Sequence, residues 1–326
     1  MIRDRMRGSW RPGARENLAR RVVPLACALA ALLTAATMLS GASLSAQQST
    51  APQISAQELV RETIKNEVSD SSGQGIKHMF RSRKTTPKGS QTRIYVETTD
   101  SMAGLTIAEN DKPLTPQEEQ AEIGHLDWLA QNPDQLRKKH ARENQDAQRS
   151  TNILKALPDA FFYQYAGTEP GTADTGKVGH QLIRLKFTPN PKFSPPSREE
   201  EVLEGMDGYL LIDANEHRLA RIDGTLFRDV SFGWGVLGRL DQGGHFEVQQ
   251  ADVGDGSWEL TKMDLHITGK ILLIKSLSMI EDEVFYDFQR VPDNLSFARG
   301  VELLKDERDK LAHISARASS QMAMQP

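Results

Sequence analysis

Residues 232–244, Phe-Gly-Trp-Gly-Val-Leu-Gly-Arg-Leu-Asp-Gln-Gly-Gly, hold a G-x-G-x-x-G spacing at Gly233, Gly235 and Gly238. That spacing grips a pyrophosphate only when a strand leads into it and a helix leads out, because the helix N-terminus supplies the N–H groups and the dipole. Here the strand-like "RIDGTLF" precedes it, and "RLDQGG" with a further alternating segment follows, so the glycines are expected to turn a wide loop between antiparallel strands. Beyond the first 46 residues the histidines are His78, His125, His140, His180, His217, His245, His266 and His313, and none forms H-x-x-x-H or H-E-x-x-H. Asp264 and His266 are two apart, which on a strand puts both on one face, as any alternating wet face would. "DVGDGS" (252–257) lacks the ligand spacing and closing Glu of a calcium loop and reads as a turn. No G-x-S-x-G is present, and the carboxylates of "SREEEVLEGMD" stand on a proline-flanked loop as a solvated charge run. The residues point to no catalytic set, no cofactor and no metal site.

The elements around these residues read as mixed α and β. "ISAQELVRETIKNEV" carries Ile54, Leu59, Ile64 and Val68 with charges between them and predicts a helix of about three to four turns, with Ser55 as its cap. "IKHMFRSRKT" and "TRIYVETTD" flank a turn and predict a hairpin. Thr115, Pro116 and Glu118 form a capping box, and Asn132-Pro133 restarts a helix running to Pro158. The middle of that second helix has almost no apolar stripe and reads as a solvated connector, including the basic Arg137–Arg142 cluster. From Phe161 the period changes to two. Ile183, Leu185 and Phe187 alternate with Arg184 and Lys186, a proline-rich loop occupies 189–201, and "GYLLID", "HRLARIDGTLF", "GGHFEVQQADV", "SWELTKMDLHITG", "KILLIKSLS" and "EVFYDFQRV" follow as strands joined by turns. Such spacing predicts an antiparallel meander rather than βαβ units. "ARGVELLKDERDKLAHIS" predicts a closing helix.

The first 46 residues read as an export signal: seven arginines against Asp4 and Glu16, the apolar run Val22–Leu39, then small residues. Cleavage is expected after Ala46, or after Ala42, where Ser40 at −3 suits the site better than Leu44; the other reading is an uncleaved anchor, since eighteen apolar residues nearly span a bilayer. Cys27, the one cysteine, lies inside that run, so the rest of the chain has no disulfide, thiolate site or cysteine nucleophile. Seven of the 40 basic and two of the 44 acidic residues fall in the signal, leaving 33 and 42, a net of −9. That balance disfavours a nucleic-acid partner. The expected organisation is a signal (1–46), a linker (47–53), one domain (54–312) with a helical insertion at about 115–157, and a polar tail (313–326).

The signal, the early amphipathic helix and the meander from "GYLLIDANEHRLARIDGTLF" to "EVFYDFQRV" together resemble the periplasmic LolA/LolB lipoprotein-carrier superfamily, to which the sensor protein RseB has a related domain. The overlap is best over residues 200–291 and architectural over 54–110. The resemblance implies an α+β fold, a curved, unclosed antiparallel β-sheet (a half-barrel) with helices packed on its concave side. It also implies an exported, non-enzymatic binding protein that holds a lipid or the acyl chain of an acylated protein, with at most peripheral membrane contact. An envelope protein partner and a filled core without ligand form the alternative. Inward-facing candidates are Tyr209, Leu211, Ile222, Leu226, Phe246, Val248, Trp258 and Leu260, together with Ile183, Leu185, Phe187, Leu273 and Phe288. Phe232, Trp234 and Leu237 would stand at the mouth, where cover by the protein's own core is the other reading.

Overall fold

Ser55 opens the first helix, its Oγ accepting from the Glu58 N–H at 3.1 Å. In the computed structural model, which describes residues 54–72, 75–232, 237–271 and 275–323, that helix is α1 (Ala56–Ser72). The export signal, Trp234 and Leu273 lie outside the described residues. The order continues β1 (Lys77–Thr86), β2 (Gly89–Val96), β3 (Ala103–Glu109), β4 (Lys112–Pro113), α2 (Pro116–Gln131), α3 (Pro133–Ala160), β5 (Phe161–Pro170), β6 (Gln181–Pro189) and α4 (Arg198–Glu201). Then come β7 (Met206–Asp213), β8 (Leu219–Leu226), β9 (Val230–Phe232), β10 (Gly238–Leu240), β11 (His245–Asp252), β12 (Trp258–Ile271), β13 (Lys275–Val291) and α5 (Phe297–Ala323). No helix among the described residues is long and apolar enough to cross a membrane.

The strands form one curved, unclosed sheet in the order β4-β3-β2-β1-β13-β12-β11-β8-β7-β6-β5, with β10 pairing β12 and β9 pairing β10. Every pairing between these strands is antiparallel. Gly238 opens β10 rather than a helix, so the glycine fingerprint has no helix N-terminus to serve it. The short strands β9 and β10 were not expected. Nor was the length of β12 and β13: "KILLIKSLS" is divided between them and "EVFYDFQRV" is the second half of β13.

Residues directly opposite one another in neighbouring strands share a face, which makes the packing legible row by row. Phe187, Gly208, Gly224 and Phe246 form one such row across β6, β7, β8 and β11. The two glycines make room for the Phe187 ring: a Cβ on Gly208 would lie 2.9 Å from its Cζ and 2.0 Å from the Asp223 carbonyl oxygen. This face, the inner one, carries Leu185, Leu210, Ile222, Leu226, Val248, Met263 and Phe285, and packs in one core with Leu59, Val60 and Ile64 of α1 and Ile153, Leu154 and Leu157 of α3.

α3 acts as a strap. Glu143, buried, accepts from Ser101 Oγ at 2.8 Å and pairs with Lys139 Nζ at 2.7 Å, which ties the helix to the segment before β3. Seventeen residue steps later, about 26 Å at 1.5 Å per residue, it delivers the chain to β5 at the other edge of the sheet. The connector is therefore anchored by a buried carboxylate that no apolar stripe announces. It runs through Pro158, and its last carbonyls are taken by Gln57 Nε2 on Pro158 O and Tyr163 Oη on Leu157 O at 2.8 Å.

The expectation that the helices pack on the concave side holds for α1 and α3 and is corrected for α2 and α5. Leu126 and Leu129 of α2 and Phe297, Val301 and Leu304 of α5 pack on Met79, Ile94, Val96 and Leu105. Those side chains alternate with Phe80 and Tyr95 of the inner face, so they point through the other side of the sheet. The capping box of α2 is present, with Glu118 Oε2 accepting from the Thr115 N–H at 2.8 Å. α5 extends to Ala323, through most of the segment expected as a tail.

Candidate functional site

The inner face divides into two parts. Beneath α1 and α3, apolar side chains of β6, β7, β8 and β11 are closed off: Leu185 and Phe246 are 0 % exposed and Phe187 is 1 % exposed. Toward the free ends of β12 and β13 the same face continues in Leu265, Leu277 and Met279, which pack against the core yet stay half-buried. Their register is explicit: Leu265 stands opposite Glu281, Ile267 opposite Met279 and Gly269 opposite Leu277. Leu237 and Ile271 at the rim are exposed, and Phe232 is half-buried against the core.

Halfway along β13 this strip meets charge. Glu281 and Glu283 follow Leu277 and Met279 on the same face, and Lys84 of β1 reaches both, pairing closely with Glu281 and lying 3.7 Å from Glu283 Oε2. Ser82 Oγ donates to Glu283 Oε1 at 2.6 Å. Burial pushes the Glu283 carboxyl above the ordinary carboxylate range, against the opposing pull of Lys84 and Ser82. The Lys84 side chain beside it is partly exposed, which leaves its ammonium at the edge of the strip. Past this cluster the face turns aromatic, with Phe80 stacked on Tyr95 and Phe288 at centroid distances of 5.4 and 5.3 Å.

The expected site residues divide accordingly. Ile222, Leu226, Phe246 and Val248 lie in the main core, and Ile183, Leu260, Phe232 and Phe288 are partly buried against it. Tyr209, Leu211 and Trp258 are a correction to the expected facing. Leu211 and Trp258 form a separate cluster with Leu182 and Ala220, and Tyr209 lies under the Arg184 guanidinium, 4.2 Å from its ring centroid. The run Tyr209-Leu210-Leu211-Ile212 is apolar at every position, so alternation there does not tell the faces apart, and Leu210 and Ile212 are the ones that face the core.

A second constellation, invisible in the sequence, joins β1 to the start of β12. His78, 1 % exposed, has Nε2 2.8 Å from Asp255 Oδ2 and 3.4 Å from Ser257 Oγ, while Nδ1 lies 3.2 Å from Glu259 Oε1, an ion-pair contact angled away from a hydrogen bond. Burial pulls the His78 pKa down, but the carboxylates of Glu259 and Asp255 outweigh it and the pKa is raised. Asp255 is held at about 2: burial opposes ionisation, and hydrogen bonds from Ser257 and His78 overcome it. The set contains a serine, a histidine and acids, yet its geometry opposes nucleophilic catalysis. A general base needs a free lone pair toward the hydroxyl, whereas Nε2 is engaged with Asp255 and Ser257 Oγ donates to Asp255 Oδ1 at 2.5 Å. The arrangement is a clamp in which two carboxylates hold the His78 ring.

Asp264 does not pair with His266. It lies 3.8 Å from His245 Nδ1, and His245 Nε2 is 3.2 Å from Asp223 Oδ1. Among the described residues no group of three or more His, Cys, Asp or Glu side chains is arranged to hold a metal ion.

No family model and no curated protein matches the chain. Among solved structures it is similar to a putative outer membrane lipoprotein-sorting protein domain from Vibrio parahaemolyticus, at 10 % identity and a TM-score of 0.27, over 77 % of this chain and 98 % of that one.

Proposed function

We propose that the chain is a non-enzymatic carrier of amphiphiles, holding the acyl chain of a lipid or of an acylated protein along the inner face of β12 and β13. The observation that carries this reading is the break in burial along one continuous apolar face: closed under α1 and α3, half-open over Leu265, Leu277 and Met279. From Leu277 to Glu283 the strip runs six residue steps, about 20 Å at about 3.4 Å per residue, room to lay an acyl chain with its polar end at Lys84, Glu281 and Glu283. Each methylene moved from water to such a surface contributes about 0.8 kcal/mol. In this reading residues 1–46 direct export, 47–53 link, and 54–312 act as one domain in the periplasm or outside the cell.

The test is displacement of a fluorescent fatty acid in solution. Met279→Glu places a charge on the strip, while Ile280→Glu places the same charge one residue away on the opposite face. Affinity is expected to fall at least about tenfold for the first, consistent with losing two or more buried methylenes, and to stay near the parent for the second. Equal affinities for both variants would overturn the reading. A parent that binds no probe would select the alternative, a protein-interaction module, which the filled half of the core favours.

A further inference from the structure

Two strand pairs, β9–β10 and β12–β13, end side by side at the open end of the strip. Gly238 of β10 stands opposite Ile271 of β12, Arg239 opposite Lys270, and Ile271 in turn faces Lys275 of β13. Leu237 and Ile271 are exposed there. The charge around them is one-sided. From Leu265 to Ile280 the chain has no acidic residue and two lysines, and from Val230 to Leu240 it has none and one arginine. The acids flanking the shorter strand pair, Asp229 and Asp241, are taken by Arg239 at 3.1 and 2.8 Å, and among the described residues of this rim Lys270 and Lys275 stand without a carboxylate partner. In a chain of net charge −4 this is a local reversal of sign.

We propose that this rim of strand ends, formed by Leu237, Lys270, Ile271 and Lys275, docks on the surface of an anionic phospholipid bilayer. Exposed apolar side chains flanked by lysines suit an interface in which the apolar groups enter the acyl boundary and the ammonium groups stay at phosphate level. The rim is also continuous with the apolar strip, so an amphiphile leaving the bilayer meets apolar surface along its way. Docking goes beyond the carrier reading and is measured independently of it: vesicle flotation reads docking, and probe displacement in solution reads binding.

The experiment floats the chain from residue 47 to 326 with phosphatidylglycerol–phosphatidylcholine vesicles and with pure phosphatidylcholine vesicles, at low and high salt. Flotation is expected only with the anionic vesicles and is expected to weaken with salt. Lys270→Glu with Lys275→Glu should lower the bound fraction more than about tenfold, since each juxtamembrane lysine adds attraction to an anionic surface, while fatty-acid probe binding and melting temperature stay near the parent. Leu237→Ser with Ile271→Ser should weaken flotation as well. No flotation of the parent, flotation indifferent to the lysine reversals, or capture of the rim by a protein in place of anionic vesicles would each overturn the proposal.

Discussion

The two parts of the inner face are built from the same strand alternation and differ in what lies over them. Over β5–β8 and β11, α1 and α3 complete the core, and the strap formed by α3 is tied at one end by buried Glu143 and at the other by Tyr163 and Gln57. Over the far ends of β12 and β13 the apolar row continues half-covered and is interrupted by Lys84, Glu281 and Glu283. The lesson is a division of labour: one part holds the fold, and the other leaves apolar surface and a few polar groups available. Substitutions that shorten apolar side chains should therefore act on stability in the first part and on binding in the second.

The largest effect is expected for Phe187→Ala. Its ring fills the space over Gly208 and Gly224 and lies 4.6 Å from the Phe161 ring, so its loss should cost about 3–5 kcal/mol in denaturant unfolding. Next is Glu67→Ala. Glu67 Oε1 accepts from Arg218 Nε at 2.8 Å and from the Leu219 N–H at 2.9 Å, joining α1 to β8; its removal leaves the Leu219 N–H without its acceptor and the part-buried Arg218 with Asp70 alone, a loss of about 1–3 kcal/mol. A loss under about 1 kcal/mol in the same unfolding experiment would mean that α1 is not held there. Met279→Ala should cost less than about 1.5 kcal/mol, because the side chain is only half-buried, while weakening probe binding. If Met279→Ala proved as destabilising as Phe187→Ala, the two parts of the face would not differ as described.

The His78 clamp adds a pH dependence whose sign follows from the two shifts. The raised His78 pKa gives stability that is complete below its ordinary 6.5 and is lost as pH rises through the folded value. Asp255, lowered to about 2 from 3.8, gives stability that is present above 3.8 and lost as pH falls toward 2. The clamp is strongest between about pH 4 and 6.5. His78→Gln should flatten the fall in melting temperature above pH 6.5. Glu283, also raised, loses stability as pH rises from its ordinary 4.5 through its own folded value, and His245, raised by its hydrogen bond to Asp223, keeps part of the slope above 6.5 until His245→Gln is added. A slope unchanged in the double variant would contradict the assignment.

Much of the sheet was legible because half-buried strands alternate. Leu185 and Phe187 against Lys186, and Phe246 and Val248 against Glu247, gave β6 and β11 directly. Alternation failed where both faces are apolar, as at Tyr209–Ile212, and where a bulge resets it, as between Leu211 and Ile212. Glu281-Asp282-Glu283 resembles a break between strands, yet it lies inside β13 because Lys84 and Ser82 compensate Glu281 and Glu283 from the neighbouring strand. The placement of α2 and α5 on the far side of the sheet depends on Ile94, Val96 and Leu105, whose facing no local pattern reveals. The His78 clamp joins residues 179 positions apart, a contact that only the β1–β13–β12 pairing creates.

The most direct test of the central claim is mass spectrometry of residues 47–326, secreted into a bacterial periplasm and purified without detergent. The account predicts extra mass in the native spectrum that disappears on denaturation and matches a phospholipid or an acylated species, and that is lost in Met279→Glu but kept in Ile280→Glu. A clean apo mass for the parent, together with no binding of apolar probes, would contradict it.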